Sequence, residues 1–167
     1  MFLLVTGGSG SGKSEYAEGR VLKFGPGQRI YAATMMCFDQ ESRKRVARHR
    51  AMRQGKGFET EERYLDLAGW RPERRREGEP LTVLLECMSN LTANEIFDPR
   101  GSGREAAAQI KAGIDRLLGS CDNLVVVTNE VFSDGIFYGE ETENYRNVLG
   151  QVNSYMAFLA DEVTVVV

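Results

Sequence analysis

Eight residues near the start of the chain, Gly7-Gly8-Ser9-Gly10-Ser11-Gly12-Lys13-Ser14, constrain its fold more than any other stretch. They follow Phe2-Leu3-Leu4-Val5-Thr6, a short apolar run that reads as a buried strand. They lead into Glu15-Tyr16-Ala17-Glu18, which reads as the first turns of a helix. Gly7, Gly12, Lys13 and Ser14 fit the spacing of a phosphate-binding loop, G-x-x-x-x-G-K-[ST]. Glycines let the backbone take positive φ, so successive N–H groups can line one concavity and hold phosphate oxygens. The helix that follows aims the positive end of its dipole at the same place. In that arrangement Lys13 reaches the β- and γ-phosphates and the Ser14 hydroxyl takes a magnesium position. A glycine-serine turn matching by accident is the plain alternative. The strand before and the helix after argue against it.

The rest of the chain repeats the alternation. Arg29–Thr34, Phe58–Glu62, Leu81–Glu86, Leu124–Thr128 and Glu162–Val167 read as strands. Between them, helices are expected through Val21, from an Asp39 cap to Gly55, over Asn90–Phe97, over Arg104–Leu118 and from Thr142 to Ala160, with a helical fragment near Tyr64–Trp70. Arg71–Glu79 reads as an exposed loop, and a glycine-bearing stretch runs from Glu130 to Gly139. Apolar strands alternating with helices imply an α/β fold, a mostly parallel sheet with helices on both faces. Ligands on such sheets gather beyond the C-terminal strand ends. The phosphate loop, Thr34, Glu86 and Asn129-Glu130 are therefore expected on one rim.

A chain of 167 residues is expected to be one domain, 1–167. Its net charge of −3 gives no global field for nucleic acid. Cys37, Cys87 and Cys121 are far apart and lack metal-ligand spacing, so reduced thiols in the cytoplasm are expected. The chain opens directly on its first strand and has no apolar run of bilayer length, so neither a signal peptide nor a membrane span is expected. His49 is the only histidine, set among Arg45, Arg48, Arg50 and Arg53. On the residues alone, a histidine in a basic helix is more often a solvated surface residue. The arginines also suit triphosphate oxygens, and they disfavour the imidazolium that a nucleophile must avoid. Glu86 ends a buried strand, where phosphate-loop proteins place the acid that helps hold magnesium. Glu130 reads as a weaker acid of the same kind or a cap, and Asn94 as a substrate-orienting group or a helix-end partner.

An ordered set of segments resembles one family. Val5-Thr6-Gly7-Gly8 with Ser11-Gly12-Lys13-Ser14, Tyr31-Ala32-Ala33-Thr34, Arg45-Val46-Ala47-Arg48-His49, Leu84-Leu85-Glu86-Cys87 with Asn94, Val127-Thr128-Asn129-Glu130-Val131 and Ala160-Asp161-Glu162-Val163 are similar to the bifunctional adenosylcobinamide kinase/adenosylcobinamide-phosphate guanylyltransferases of cobalamin biosynthesis. The resemblance covers essentially the whole chain. It implies a P-loop NTPase of RecA-like fold, a homotrimer, and two reactions. One phosphorylates adenosylcobinamide with ATP or GTP; the other adds GMP from GTP through a guanylylated histidine. It implies His49 as the guanylylated residue, beside Lys13, which the loop motif already marks as catalytic. Nucleotide contacts are implied for Gly7, Gly8, Ser9, Gly10, Ser11, Gly12, Lys13, Ser14, Ala33, Thr34, Met35, Arg50, Ala51, Met52, Arg53, Glu62 and Glu86. Mg2+ would be held by Ser14 and Glu86, and the partner is a corrinoid rather than nucleic acid. Competing readings are a single-function small-molecule kinase, a nucleic-acid ATPase and a non-enzymatic nucleotide switch. The acidic balance opposes the second, and the lack of an Asn-Lys-x-Asp guanine motif opposes the third.

Overall fold

The structure, a computed structural model, describes residues 1–130 and 139–167. The glycine-bearing stretch expected after Glu130 lies outside the described residues up to Tyr138. Among the described residues, six strands form one sheet: β1 Phe2–Gly7, β2 Gln28–Ala33, β3 Phe58–Glu62, β4 Leu81–Glu86, β5 Asn123–Asn129 and β6 Glu162–Val166. Five α-helices of the same residues join them: α1 Lys13–Lys23, α2 Gln40–Arg53, α3 Met88–Phe97, α4 Ala106–Leu118 and α5 Glu140–Leu159. The strand order is β3-β2-β4-β5-β1-β6 and every pairing is parallel. This is the expected α/β fold, an all-parallel sheet with the glycine-rich loop between β1 and α1.

A parallel sheet must be covered on both faces, and successive residues of a strand point to opposite sides. Phe2, Leu4, Ile30, Val83, Leu85, Leu124 and Val126 pack against α3, α4 and α5 through Leu91, Ile110, Ile114, Leu117, Val152 and Met156. Leu3, Val5, Tyr31, Leu84, Val125 and Val127 face the other way, onto Ala17 and Val21 of α1. Central strands buried on both sides read as unbroken apolar runs, which is why β1, β4 and β5 were legible. Among the described residues, no helix is long and apolar enough to cross a membrane.

Two elements differ from the sequence expectation. Tyr64–Trp70 forms only a 3-10 turn, Leu67–Gly69. Asp66 adopts φ +56° and its carboxylate accepts the Gly69 N–H at 3.1 Å, which satisfies one turn and continues no further. The helix expected from Arg104 opens as another such turn, Gly103–Glu105, before α4 begins. Asp39 does cap α2: its carboxylate accepts the Ser42 N–H at 2.7 Å, while the Ser42 hydroxyl accepts the Asp39 N–H at 3.1 Å.

All strands end at one edge. Gly7 is paired with Asn129 and Val166, and Ala33 with both Glu62 and Glu86. β5 separates the strand that carries the phosphate loop from the strand that ends in Glu86.

Candidate active site

The phosphate loop leaves β1 at Gly7 and enters α1 at Lys13. Gly10 and Gly12 have φ of +72° and +86°, so L side chains there would be strained. Gly12 is the N-cap of α1 in left-handed geometry with no side-chain cap, which leaves the first helical N–H groups turned toward the loop. Lys13 folds its ammonium over the loop and donates to the Gly8 carbonyl at 2.9 Å.

Glu86 is the centre of the rim. The residue is 9 % exposed at the end of β4. Oε1 accepts the Ser14 hydroxyl in a very short contact, and Oε2 accepts the Tyr31 hydroxyl at 3.0 Å. His49 Nδ1 lies 3.9 Å from the same Oε1 and has no hydrogen-bond partner among the described residues. Ser14, Glu86 and His49 therefore converge, although they come from the loop, β4 and α2. Burial, and then the Glu86 charge, push the Tyr31 hydroxyl far above its ordinary range, so it keeps the proton that it donates to Glu86.

His49 reaches this position because of how α2 lies. Among its residues only Arg53 is buried, and Ser42, Val46 and His49 are half-buried on the same side. Their spacing of four, three and four residues gives one inward stripe. Arg43, Lys44, Arg45, Ala47, Arg48, Arg50 and Ala51 are exposed. The basic face is thus at the surface, with its imidazole turned to the rim.

Other residues singled out by the sequence divide. Ala33 sits between Glu62 and Glu86 in register, which at ordinary strand spacing puts those acids roughly 10 Å apart on one level. Glu62 is exposed and pairs with Arg50 at 3.4 Å. Met35 and Met52 are half-buried. Glu130 is exposed at the end of β5, next to Asn129 on the expected rim.

Two expected nucleotide contacts are used differently. Thr34 is fully buried; its hydroxyl donates to the Cys87 carbonyl at 2.9 Å and accepts the Cys87 N–H at 2.8 Å. It pins the turn after Glu86 and has no free side-chain group for a ligand. Arg53 is 6 % exposed, with Cζ 3.4 Å from the centroid of the Tyr31 ring, and donates to Thr60 Oγ1 at 3.3 Å. It is turned to the sheet. The Asn94 amide is not spent on a helix end: it donates to the carbonyls of Thr34 at 2.8 Å and Tyr64 at 3.0 Å, tying together the turns after β2 and β3. Cys87, beside Glu86, has its thiol pushed up by burial, and Cys121 is pushed up to about 12 by the same cause, so neither is a reactive thiolate.

Sequence reasoning passed over Tyr31. The signal was faint: Tyr31 is paired with Leu84 and lies on the same face of the sheet as Glu86, but that register is invisible before β2 and β4 are known to be neighbours.

Oxygen donors at the loop suit a hard divalent cation. The Ser14 hydroxyl and a buried Glu86 oxygen converge, and phosphate oxygens would complete such a site. Among the described residues, no group of three or more His, Cys, Asp or Glu side chains forms a protein-only metal cage.

A family model described as cobinamide kinase / cobinamide phosphate guanyltransferase matches residues 3–167. The chain is 34 % identical to the bifunctional adenosylcobalamin biosynthesis protein CobU of Escherichia coli K12 and 32 % identical to that of Salmonella typhimurium LT2. Each comparison covers 100 % of this chain and 96 % of the relative. Among solved structures, the flagellar accessory protein FlaH from Methanocaldococcus jannaschii is similar with a TM-score of 0.49 and 11 % identity, over 98 % of this chain and 70 % of that one.

Proposed function

The chain belongs to the cobinamide kinase / cobinamide phosphate guanyltransferase family, and from that premise we propose that both activities are carried by the single rim where His49, Glu86 and the phosphate loop meet. The observation that carries the reading is the shared carboxylate oxygen: Glu86 Oε1 accepts from Ser14 of the loop and faces His49 Nδ1 at 3.9 Å.

In the kinase reaction, ATP or GTP lies with its triphosphate on the N–H groups of Gly7–Ser14. The hydroxyl of adenosylcobinamide attacks the γ-phosphorus, the bond from that phosphorus to the β–γ bridging oxygen breaks, and a nucleoside diphosphate and a proton leave. Lys13 and the loop amides neutralise the charge gathering on the equatorial oxygens. Mg2+, held by the Ser14 hydroxyl and Glu86, supplies further positive charge at the phosphates when bound.

In the guanylyl reaction, His49 attacks the α-phosphorus of GTP. A nitrogen–phosphorus bond forms, the α–β bridging bond breaks and pyrophosphate leaves. Nδ1 faces Glu86, so Nε2 is the nitrogen turned outward for attack. An oxygen of the corrinoid phosphate then attacks the same phosphorus, the bond to nitrogen breaks, and the imidazole is restored. Arg45, Arg48 and Arg50 give the exposed side of α2 a positive potential that draws the triphosphate toward this end of the sheet. Glu62, Ala33 and Met35 border the nucleoside, with Thr34 buried behind them. The same reading makes the protein a cytoplasmic homotrimer of one-domain subunits, to be checked by sedimentation.

Two variants test the division of labour. With α-labelled GTP, the wild type and Lys13→Ala are compared with His49→Ala, alongside phosphorylation of adenosylcobinamide. His49→Ala is expected to lose the covalent label and keep kinase turnover, and Lys13→Ala to lose most kinase turnover. Equal labelling of wild type and His49→Ala would defeat the assignment of the nucleophile.

A further inference from the structure

We propose that Tyr31 is a positioning residue for guanylyl transfer, which through Glu86 and Arg53 sets where His49 stands against the phosphate loop; the inference rests on His49 being the group that takes GMP. The contacts close on themselves. His49 and Arg53 are four residues apart on α2 and so share one side of the helix. From that side His49 Nδ1 comes to 3.9 Å from Glu86 Oε1, while the Arg53 guanidinium lies over the Tyr31 ring at 3.4 Å. Tyr31 then donates to Glu86 Oε2 at 3.0 Å, which completes the ring of four side chains.

Each joint is held from outside the ring as well. Tyr31 is 4 % exposed and stands edge-on to Phe58, with ring centroids 6.2 Å apart and planes at 83°. Arg53 is anchored by Thr60. The last torsion of a glutamate is broad, so nothing intrinsic to Glu86 decides where its two oxygens point. A fixed donor on Oε2 decides it, and leaves Oε1 between Ser14 and His49. The helix needs such a key. α2 has almost no buried apolar surface, since Arg53 is its one buried residue and the rest of its inward stripe is only half-buried. A few polar contacts therefore set its position, where other helices of this fold are set by packed aliphatic side chains.

A tyrosine buried merely for bulk would also find a partner for its hydroxyl. The two roles separate in kinetics. Single-turnover formation of the GMP–enzyme adduct is measured for the wild type, Tyr31→Phe, Glu86→Gln and the double variant, together with GTP affinity and thermal midpoint. Outer partners that orient a functional side chain are worth roughly ten- to hundredfold. Tyr31→Phe is expected to slow adduct formation by that order while GTP affinity changes by less than about twofold. In the Glu86→Gln background the same change is expected to add less than about twofold, because its effect passes through that carboxylate. Adduct formation at the wild-type rate in Tyr31→Phe overturns the proposal. So does a loss that is equally large in the Glu86→Gln background, or one explained wholly by weaker GTP binding or a lower midpoint. A wild-type protein that forms no adduct on His49 overturns the assignment of the nucleophile itself, and is told apart by the absence of signal in all four proteins.

Discussion

Replacing Lys56 by methionine removes an ammonium group and keeps most of an apolar stem. Its partner is Glu18 of α1, 0 % exposed, with Oε2 at 2.8 Å from Lys56 Nζ. The other Glu18 oxygen has no hydrogen-bond partner among the described residues. In Lys56→Met the carboxylate stays out of water with no other ion-pair partner among the described residues. Breaking a buried pair from one side costs about 3–5 kcal/mol. The Lys56 side chain is 30 % exposed, so water offsets part of the loss and the lower end, about 3 kcal/mol, applies here. For a chain of this size each kcal/mol corresponds to about 2–4 °C, so the thermal midpoint should fall by roughly 6–12 °C. Exchanging both members of a buried pair for apolar residues is often neutral or better, so Glu18→Leu with Lys56→Met should recover most of the loss. Thermal and urea unfolding followed by circular dichroism give both numbers. A single variant within about 0.5 kcal/mol of wild type, or a double variant less stable than the single one, refutes the reasoning. The consequence reaches the rim, because Lys56 follows α2 and Glu18 lies one turn beyond Ser14, so the pair ties the histidine helix to the loop helix.

Two further outcomes concern packing and pH. A Cβ added at Gly113 would stand 2.6 Å from Leu67 Cγ and 2.7 Å from its Cβ, so Gly113→Ala should cost about 1–3 kcal/mol by overpacking, read from the urea midpoint and relieved in a Leu67→Ala background. Asp122 accepts the Leu81 N–H at 2.7 Å and Arg74 at 3.0 Å, and these bonds hold its carboxyl below the ordinary value of 3.8. Its stabilisation is therefore complete above that value and is lost as pH falls through the lower folded one, so the gap between wild type and Asp122→Asn should be constant near neutrality and shrink in acid, in unfolding titrations across that range.

Much of this architecture can be read from the chain because its signals are local. The phosphate loop announces itself through Gly7, Gly12, Lys13 and Ser14, and the Asp39 cap lies next to the helix it starts. Continuous apolar runs mark strands buried on both faces, with or without knowledge of their neighbours. What was not legible depends on pairing at a distance. Thr34 sits at the rim as expected, but only the neighbouring β4 shows that its hydroxyl is spent on Cys87. Arg53 belongs to the basic run that suits phosphate, yet the register of α2 against β2 turns it onto Tyr31. Strand order itself, with β5 placed between β1 and β4, follows from long-range contacts that no periodicity encodes.

Peptide mapping by mass spectrometry after exposure to GTP tests the central claim most directly, that loop and imidazole serve one site. The account predicts one GMP per chain, carried on the peptide that contains His49, with its yield reduced when a non-hydrolysable triphosphate occupies the loop first. A GMP carried on another residue, or an adduct on His49 that forms undiminished with the loop already filled, would contradict it.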